Sequence, residues 1–128
     1  MKLETTVRSA PKDGSGFERG LREYFEYRDT GVAEATGGLF AAHVIRAIPG
    51  KEPKPQWHTH SVGFQLFYVT KGWIEFEYED IGKVRLEAGG SAFQPPGVRH
   101  RELCHSDDLE VLEIASPAGF GTTLVDEL

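Results

Sequence analysis

The sequence predicts an all-β domain, and two observations support that prediction. Short segments rich in strand-forming residues recur along residues 21–116 and are separated by turns that contain glycine or proline. Within several segments, apolar and polar residues alternate with a period close to two, and almost no stretch has the helical period. Many short strands at regular spacing indicate an antiparallel sandwich or a small barrel. At 128 residues the chain suits one domain with a single core.

The first part of the chain has the weaker signals. Residues 1–20 are polar and contain Pro11 and three glycines, so we expect an N-terminal arm ahead of one domain over residues 21–128. The segment 21–29 mixes aromatic and charged residues in partial alternation, which predicts an early strand. The glycine-punctuated segment 31–38 predicts a turn or a short helical turn.

The remaining segments predict strands in close succession. A long apolar run is followed by a proline-rich connection, and alternating segments then continue to Pro117. In one of them Gln65, Phe67 and Val69 share a face, and in the next Ile74, Phe76 and Tyr78 face inward. The predicted strands lie around residues 39–48, 64–70, 73–80, 83–86, 91–94, 98–103 and 109–115.

Three histidines and a glutamine have the spacing of one metal site. His58 and His60 are two residues apart, so on a strand they point the same way with Cα atoms about 7 Å apart. Gln65 follows five residues later, and His100 ends a second glycine-bounded segment. Imidazoles with an oxygen ligand suit a divalent ion of Zn, Fe, Ni, Cu or Mn and do not select one of them.

These residues stand in two motifs that resemble those of the cupin family. The first is HTHSVGFQLFYVTKG, from His58 to Gly72, and the second places Gly89, Pro95, Gly97 and His100 at the family's spacing. The resemblance covers residues 39–116. It implies a double-stranded β-helix, or jelly-roll, barrel with the metal inside, here preceded by the N-terminal extension. The main departure is Gln65, which replaces the family's usual Glu with a neutral, weaker donor. Cys104 stands at the second motif's Asn position and is a poor ligand candidate, since it lies about 13 Å along the strand from His100.

Each candidate has a simpler interpretation. The histidines could be ordinary polar residues of a barrel that has lost its metal, and Gln65 could be a hydrogen-bonded core amide. Glu102 shares strand parity with His100 and is a candidate base near the metal, although a carboxylate at a strand end is often solvated. Aromatic residues that could border a substrate pocket, or merely fill the core, are Phe67, Phe76 and Phe93.

Charge and composition limit the kinds of partner that we expect for this chain. A net charge of −6, without a basic stripe, argues against nucleic acid as a partner. The sequence has no signal-peptide run and no membrane-length apolar segment, so we expect a cytoplasmic protein without a membrane partner. Absence of a phosphate cradle makes sugar-phosphate chemistry less expected than oxidation or isomerisation of a small carbonyl or phenolic compound.

The sequence leaves two functions open. The first is a metal-dependent enzyme, in first place a dioxygenase, whose small-molecule substrate binds through an enolate, phenolate or carboxylate. An isomerase-like reaction is the second enzymatic option. The alternative is a non-catalytic cupin that binds a small molecule and has a structural or sensing metal. We also expect a homodimer, with Tyr24, Phe25 and Tyr27 covering an exposed face of a partner chain.

Overall fold

The computed structural model describes residues 3–20 and 22–125, in which eleven strands and one short helix form. In chain order, the elements are β1 (Glu18–Arg19), β2 (Phe25–Asp29), α1 (Val32–Ala35), β3 (Ala41–Ala47), β4 (His58–His60), β5 (Phe64–Lys71), β6 (Trp73–Tyr78), β7 (Gly82–Glu87), β8 (Ser91–Phe93), β9 (His100–His105), β10 (Glu110–Ser116) and β11 (Thr122–Leu124). The predicted all-β class is confirmed. The described helix is a single turn, and no described helix is long and apolar enough to cross a membrane.

The strands form two antiparallel sheets. The larger has the order β1-β2-β3-β10-β5-β8, and the smaller has the order β11-β4-β9-β6-β7. Strands that are neighbours in space are often distant in sequence, as where β10 lies between β3 and β5. The edge strands β1 and β11 were not predicted, because segments of two and three residues are too short to show a period.

The alternation of apolar residues decides which faces meet in the core. In β6, Ile74, Phe76 and Tyr78 are buried, and the residues between them are partly exposed, as predicted. Val69 of β5 and Leu109 are also almost fully buried. Burying one such side chain contributes about 1.5–3 kcal/mol, so this shared face accounts for much of the attraction between the sheets.

The aromatic residues near the N-terminus belong to this core. Tyr24 and Phe25 are buried, with ring centroids 4.7 Å apart, and Tyr27 packs against the same cluster. The expectation that these residues cover a partner chain is therefore wrong for Tyr24 and Phe25, because their own chain buries them, and Tyr27 is already partly buried in the same cluster. The exposed aromatic rings lie elsewhere: Phe64 and Phe93 pack together on the outer face of the larger sheet, with centroids 5.5 Å apart.

Candidate metal centre and cavity

The fold brings the three predicted histidines into one cluster. His58 of β4 is the cross-strand partner of His100 of β9, and His60 lies two residues further along the same face of β4. The ring centroids are 4.3 Å apart for His58 and His100, and 5.1 Å apart for His60 and His100. One ring nitrogen from each histidine lies within 4.8 Å of the others. Separations of this size allow three ligands to reach a single ion.

The hydrogen bonds of the rings fix which nitrogens face the cluster. His58 Nδ1 lies 2.7 Å from the Gln56 carbonyl, and His100 Nδ1 lies 3.0 Å from the Val98 carbonyl. Because a carbonyl oxygen only accepts, both Nδ1 atoms donate, and each Nε2 keeps its lone pair. His60 Nδ1 lies 3.0 Å from the Thr122 hydroxyl of β11. These contacts hold the ring orientations, as outer hydrogen bonds do for histidine ligands of metals.

The cluster is electrically neutral near pH 7. Burial lowers the pKa of His58 to about 4 and that of His60 to about 3, and it also lowers the pKa of His100. Neutral imidazoles are the form that binds metal ions. Convergent lone pairs on neutral rings therefore fit a divalent cation.

Gln65 lies beside the histidines in a buried amide network. Its Nε2 donates to Glu113 Oε2 at 3.0 Å, and its Oε1 accepts from Gln94 Nε2 at 3.1 Å. The same Gln94 nitrogen lies 3.3 Å from His100 Nε2, and Gln94 Oε1 accepts from the Tyr78 hydroxyl at 2.8 Å. The amide oxygen of Gln65 thus faces the side of the network where His100 lies, and its nitrogen faces Glu113.

Two carboxyl groups lie near the cluster, one predicted and one missed. Glu102 of β9 accepts a 2.7 Å hydrogen bond from the Tyr24 hydroxyl, and burial raises the pKa of its carboxyl. Burial likewise raises the pKa of Glu113 on β10. Glu113 could have been identified as a candidate site residue from the sequence. It has the inward parity of Val111 and Ala115, and a carboxylate at a core-facing position is costly unless it has a partner.

A cavity of about 430 Å³ lies beside the cluster, and its lining includes His60, His100, Gln65, Glu102 and Glu113. Arg22 also lines it, and its Nη2 lies 3.0 Å from His58 Nε2. Sequence analysis missed Arg22, since a single arginine in a mixed aromatic and charged segment carries no pattern. His43 of β3 lines the same cavity, away from the cluster.

Two of the three predicted pocket aromatics line this cavity. Phe67 and Phe76 form part of its apolar wall, with ring centroids 5.7 Å apart. Phe93 does not, and its assignment to the pocket is corrected. Its cross-strand partner is Leu66, which has the outward parity of β5, so the ring of Phe93 lies on the outer face and is 54% exposed. Cys104 donates to Glu75 at 3.1 Å and is no part of the histidine cluster.

Comparison with known proteins agrees with this architecture. The family model described as the cupin domain matches residues 44–115. No curated protein sequence matches the chain. The structure is similar to that of KdgF from Halomonas sp., with a TM-score of 0.61 and 22% identity over 84% of this chain and 92% of that one.

Two further solved structures share the fold. A Klebsiella pneumoniae protein with a double-stranded β-helix domain gives a TM-score of 0.56 at 23% identity, covering 70% of this chain and 77% of that one. A sugar phosphate isomerase of the cupin superfamily from Silicibacter pomeroyi gives a TM-score of 0.59 at 18% identity, covering 80% of this chain and 77% of that one. The predicted double-stranded β-helix fold is confirmed, and identities this low indicate fold rather than activity.

Proposed function

This chain belongs to the cupin family, and on that premise we propose that it is a metal-dependent enzyme of the isomerase or lyase type. Its substrate would be a small compound with a carbonyl or carboxylate group beside an acidic C–H bond. The observation that carries the proposal is the carboxyl of Glu102, which lines one cavity with His60 and His100, two of the three clustered histidines. A proton-transferring group beside a cation site is the combination that such a reaction needs.

The ion would be held by His58, His60 and His100, with the Gln65 amide oxygen as a fourth ligand. Gln65 fits this role because its amide nitrogen donates a hydrogen bond to Glu113, which leaves its amide oxygen on the side where His100 lies. Zn, Fe, Ni, Cu and Mn all suit this ligand set. When bound, the ion would act as a Lewis acid that stabilises negative charge on a substrate oxygen.

Glu102 would take a proton from a substrate carbon and return it to a different atom. Its Cα lies about 7 Å from that of His100 on the same face of β9, so a substrate bound at the histidines would lie within reach. The Tyr24 hydroxyl, 2.7 Å away, orients the carboxyl. Phe67 and Phe76 supply an apolar wall that limits water around the reacting atoms.

Proton exchange in D₂O tests the proposal. Metal-loaded protein is incubated without oxygen with a panel of small 2-oxo acids and hydroxycarbonyl compounds, and deuterium incorporation is followed by NMR. We expect exchange or turnover of at least one compound, and Glu102→Gln should lower its rate about 100-fold or more. The matched control is Glu87→Gln, an exposed carboxylate, which should retain the rate. Equal rates in both variants would contradict the role of Glu102.

A dioxygenase is the second candidate. An uncharged ligand set beside an apolar wall suits a chelating enolate or phenolate that reacts with oxygen at an Fe or Cu site. Oxygen uptake with the same panel, together with no anaerobic exchange, would favour this reaction over proton transfer. Tight binding with neither exchange nor oxygen uptake would favour a non-catalytic cupin that uses the metal structurally or for sensing.

We further propose that the protein is a homodimer, formed through the outer face of the larger sheet. This face exposes Phe64, Tyr68 and Phe93, and Phe64 packs on Phe93. Contiguous exposed aromatic surface is uncommon on monomers, and a two-fold contact would bury the same residues on both chains.

A further inference from the structure

Arg22 lines the cavity, and the one described hydrogen bond of its guanidinium is with a histidine. Its Nη2 lies 3.0 Å from His58 Nε2, and its side chain is half-buried. In the described residues it forms no ion pair with Glu102 or Glu113, although both carboxyls line the same cavity. Each of these carboxyls already accepts a different donor, from Tyr24 and Gln65 respectively.

The contact with His58 is one that a metal ion would replace. Because His58 Nδ1 donates to the Gln56 carbonyl, the only lone pair of the ring is on Nε2, where Arg22 donates. An ion that binds this lone pair would displace the guanidinium and repel it as a like charge. Arg22 would then be a partly desolvated cation beside the ion, in a cavity that is also lined by Glu102 and Glu113.

We propose that Arg22 is the anion-binding residue of this cavity and that it binds the carboxylate of a small organic acid. The inference rests on the proposed metal-dependent function. A guanidinium presents paired N–H donors that match the two oxygens of a carboxylate. The Arg22 side chain reaches His58, so a guanidinium displaced from that ring would still hold the carboxylate close to the oxygen that reaches the metal. A 2-oxo or 2-hydroxy acid has these two groups on adjacent carbons.

The cavity favours this class over larger or more highly charged anions. A volume of about 430 Å³ lies toward the small end of ligand sites. A phosphate dianion would place two negative charges beside Glu102 and Glu113. A carboxylate adds one negative charge and is planar, as is the guanidinium.

Calorimetric titration with pyruvate tests the assignment, and pyruvamide serves as the uncharged analogue. Zinc-loaded wild-type protein should bind pyruvate more tightly than pyruvamide or inorganic phosphate. Arg22→Gln should weaken pyruvate binding about tenfold or more and leave pyruvamide binding unchanged, because only the charged ligand uses the guanidinium. Arg22→Lys should give an intermediate affinity, since it keeps the charge and loses the paired donors.

Arg19→Gln is the matched control, because Arg19 lies three residues earlier and is exposed. It makes the same change of charge outside the cavity and should alter pyruvate affinity less than about twofold. Equal pyruvate affinities for Arg22→Gln and Arg19→Gln would overturn the proposal, as would tighter binding of phosphate than of pyruvate by the wild type. Melting temperatures confirm that each variant is folded.

Zinc titration of the metal-free proteins separates this inference from the proposed function. Arg22→Gln should bind zinc more tightly than wild type, because the competing donor at His58 is gone. Failure of both proteins to bind zinc would reject the metal site, and pyruvate titration of the metal-free pair would then decide the role of Arg22. A loss of pyruvate affinity in Arg22→Gln would support the role, and unchanged affinity would reject it.

Discussion

Replacing Gln65 with the carboxylate that is usual at this cupin position should destabilise the metal-free protein. The Gln65 nitrogen is 3.0 Å from Glu113 Oε2, so Gln65→Glu would place two carboxyl groups in direct contact inside the barrel. At that separation, two unit charges repel by about 5.5 kcal/mol for an effective dielectric constant of about 20. Protonating a carboxyl of ordinary pKa at pH 7 costs about 3–4 kcal/mol, and protonating Glu113 costs less because burial raises its pKa, so protonation limits the penalty. We therefore expect the free energy of unfolding to fall by about 2–4 kcal/mol.

The double variant Gln65→Glu/Glu113→Gln reverses the pair and keeps one amide beside one carboxylate. Its stability should return to within about 1 kcal/mol of wild type, which gives a coupling energy of about 2–3 kcal/mol in a double-mutant cycle. It should also bind the metal more tightly than wild type, because a charged oxygen replaces a neutral one at the ion.

Urea unfolding of the four metal-free proteins measures the cycle, and competition with a chelator measures metal affinity. The reasoning is refuted if the two single substitutions are additive in stability. If the cycle gives the expected coupling energy in stability but no variant changes the metal affinity, then Gln65 is a core amide and not a ligand.

Three further predictions concern the cluster, the outer face and the core. His60→Ala should abolish stoichiometric metal binding by elemental analysis, whereas His43→Ala, which alters the same cavity away from the cluster, should retain one ion per chain. Phe93→Glu should convert the dimer to a monomer in equilibrium sedimentation, whereas Ile81→Glu, which alters an exposed residue in the turn between β6 and β7, should not. A wild-type monomer at micromolar concentration would contradict the dimer. Phe76→Ala should lower the free energy of unfolding by about 3–5 kcal/mol because it leaves a cavity in the core, and a loss below about 1 kcal/mol would show that this packing is not needed.

Side-chain directions were predicted best in strands where the period-two pattern is clear and includes the candidate ligands. Alternation fixed the inward face of β6, and the two-residue spacing of His58 and His60 placed both rings on one side of β4. The pairing of His58 with His100 could not be derived from period alone, since it joins strands that are 42 residues apart in sequence. It came from the motif resemblance, which supplies the topology that local patterns lack.

The errors arose where a residue's surroundings come from distant strands. Phe93 belongs to a three-residue strand, so its direction is set by pairing with Leu66 of β5 and not by a period of its own. Tyr24 and Phe25 looked like exposed aromatics of a polar segment, yet they pack on His105 of β9. Gln94 had no pattern at all, and only the fold shows that it joins Tyr78, Gln65 and His100.

The charges of the cavity indicate why a neutral glutamine is compatible with this site. A carboxylate ligand would normally offset part of the ion's charge, and here the negative charge lies instead on Glu113, one hydrogen bond behind the amide. A divalent ion and Arg22 together contribute three positive charges to the cavity. If Glu102 and Glu113 are both ionised, the net charge is +1, and if Glu102 is protonated, the net charge is +2. The cavity is cationic in either state, so it would attract an anionic ligand, and a singly charged acid would neutralise it when both carboxyls are ionised. Moving the carboxylate from the ion to Glu113 also leaves the ion more electrophilic, because a neutral oxygen withdraws less of its charge. That is the property required of a cation that stabilises developing negative charge on a bound organic acid.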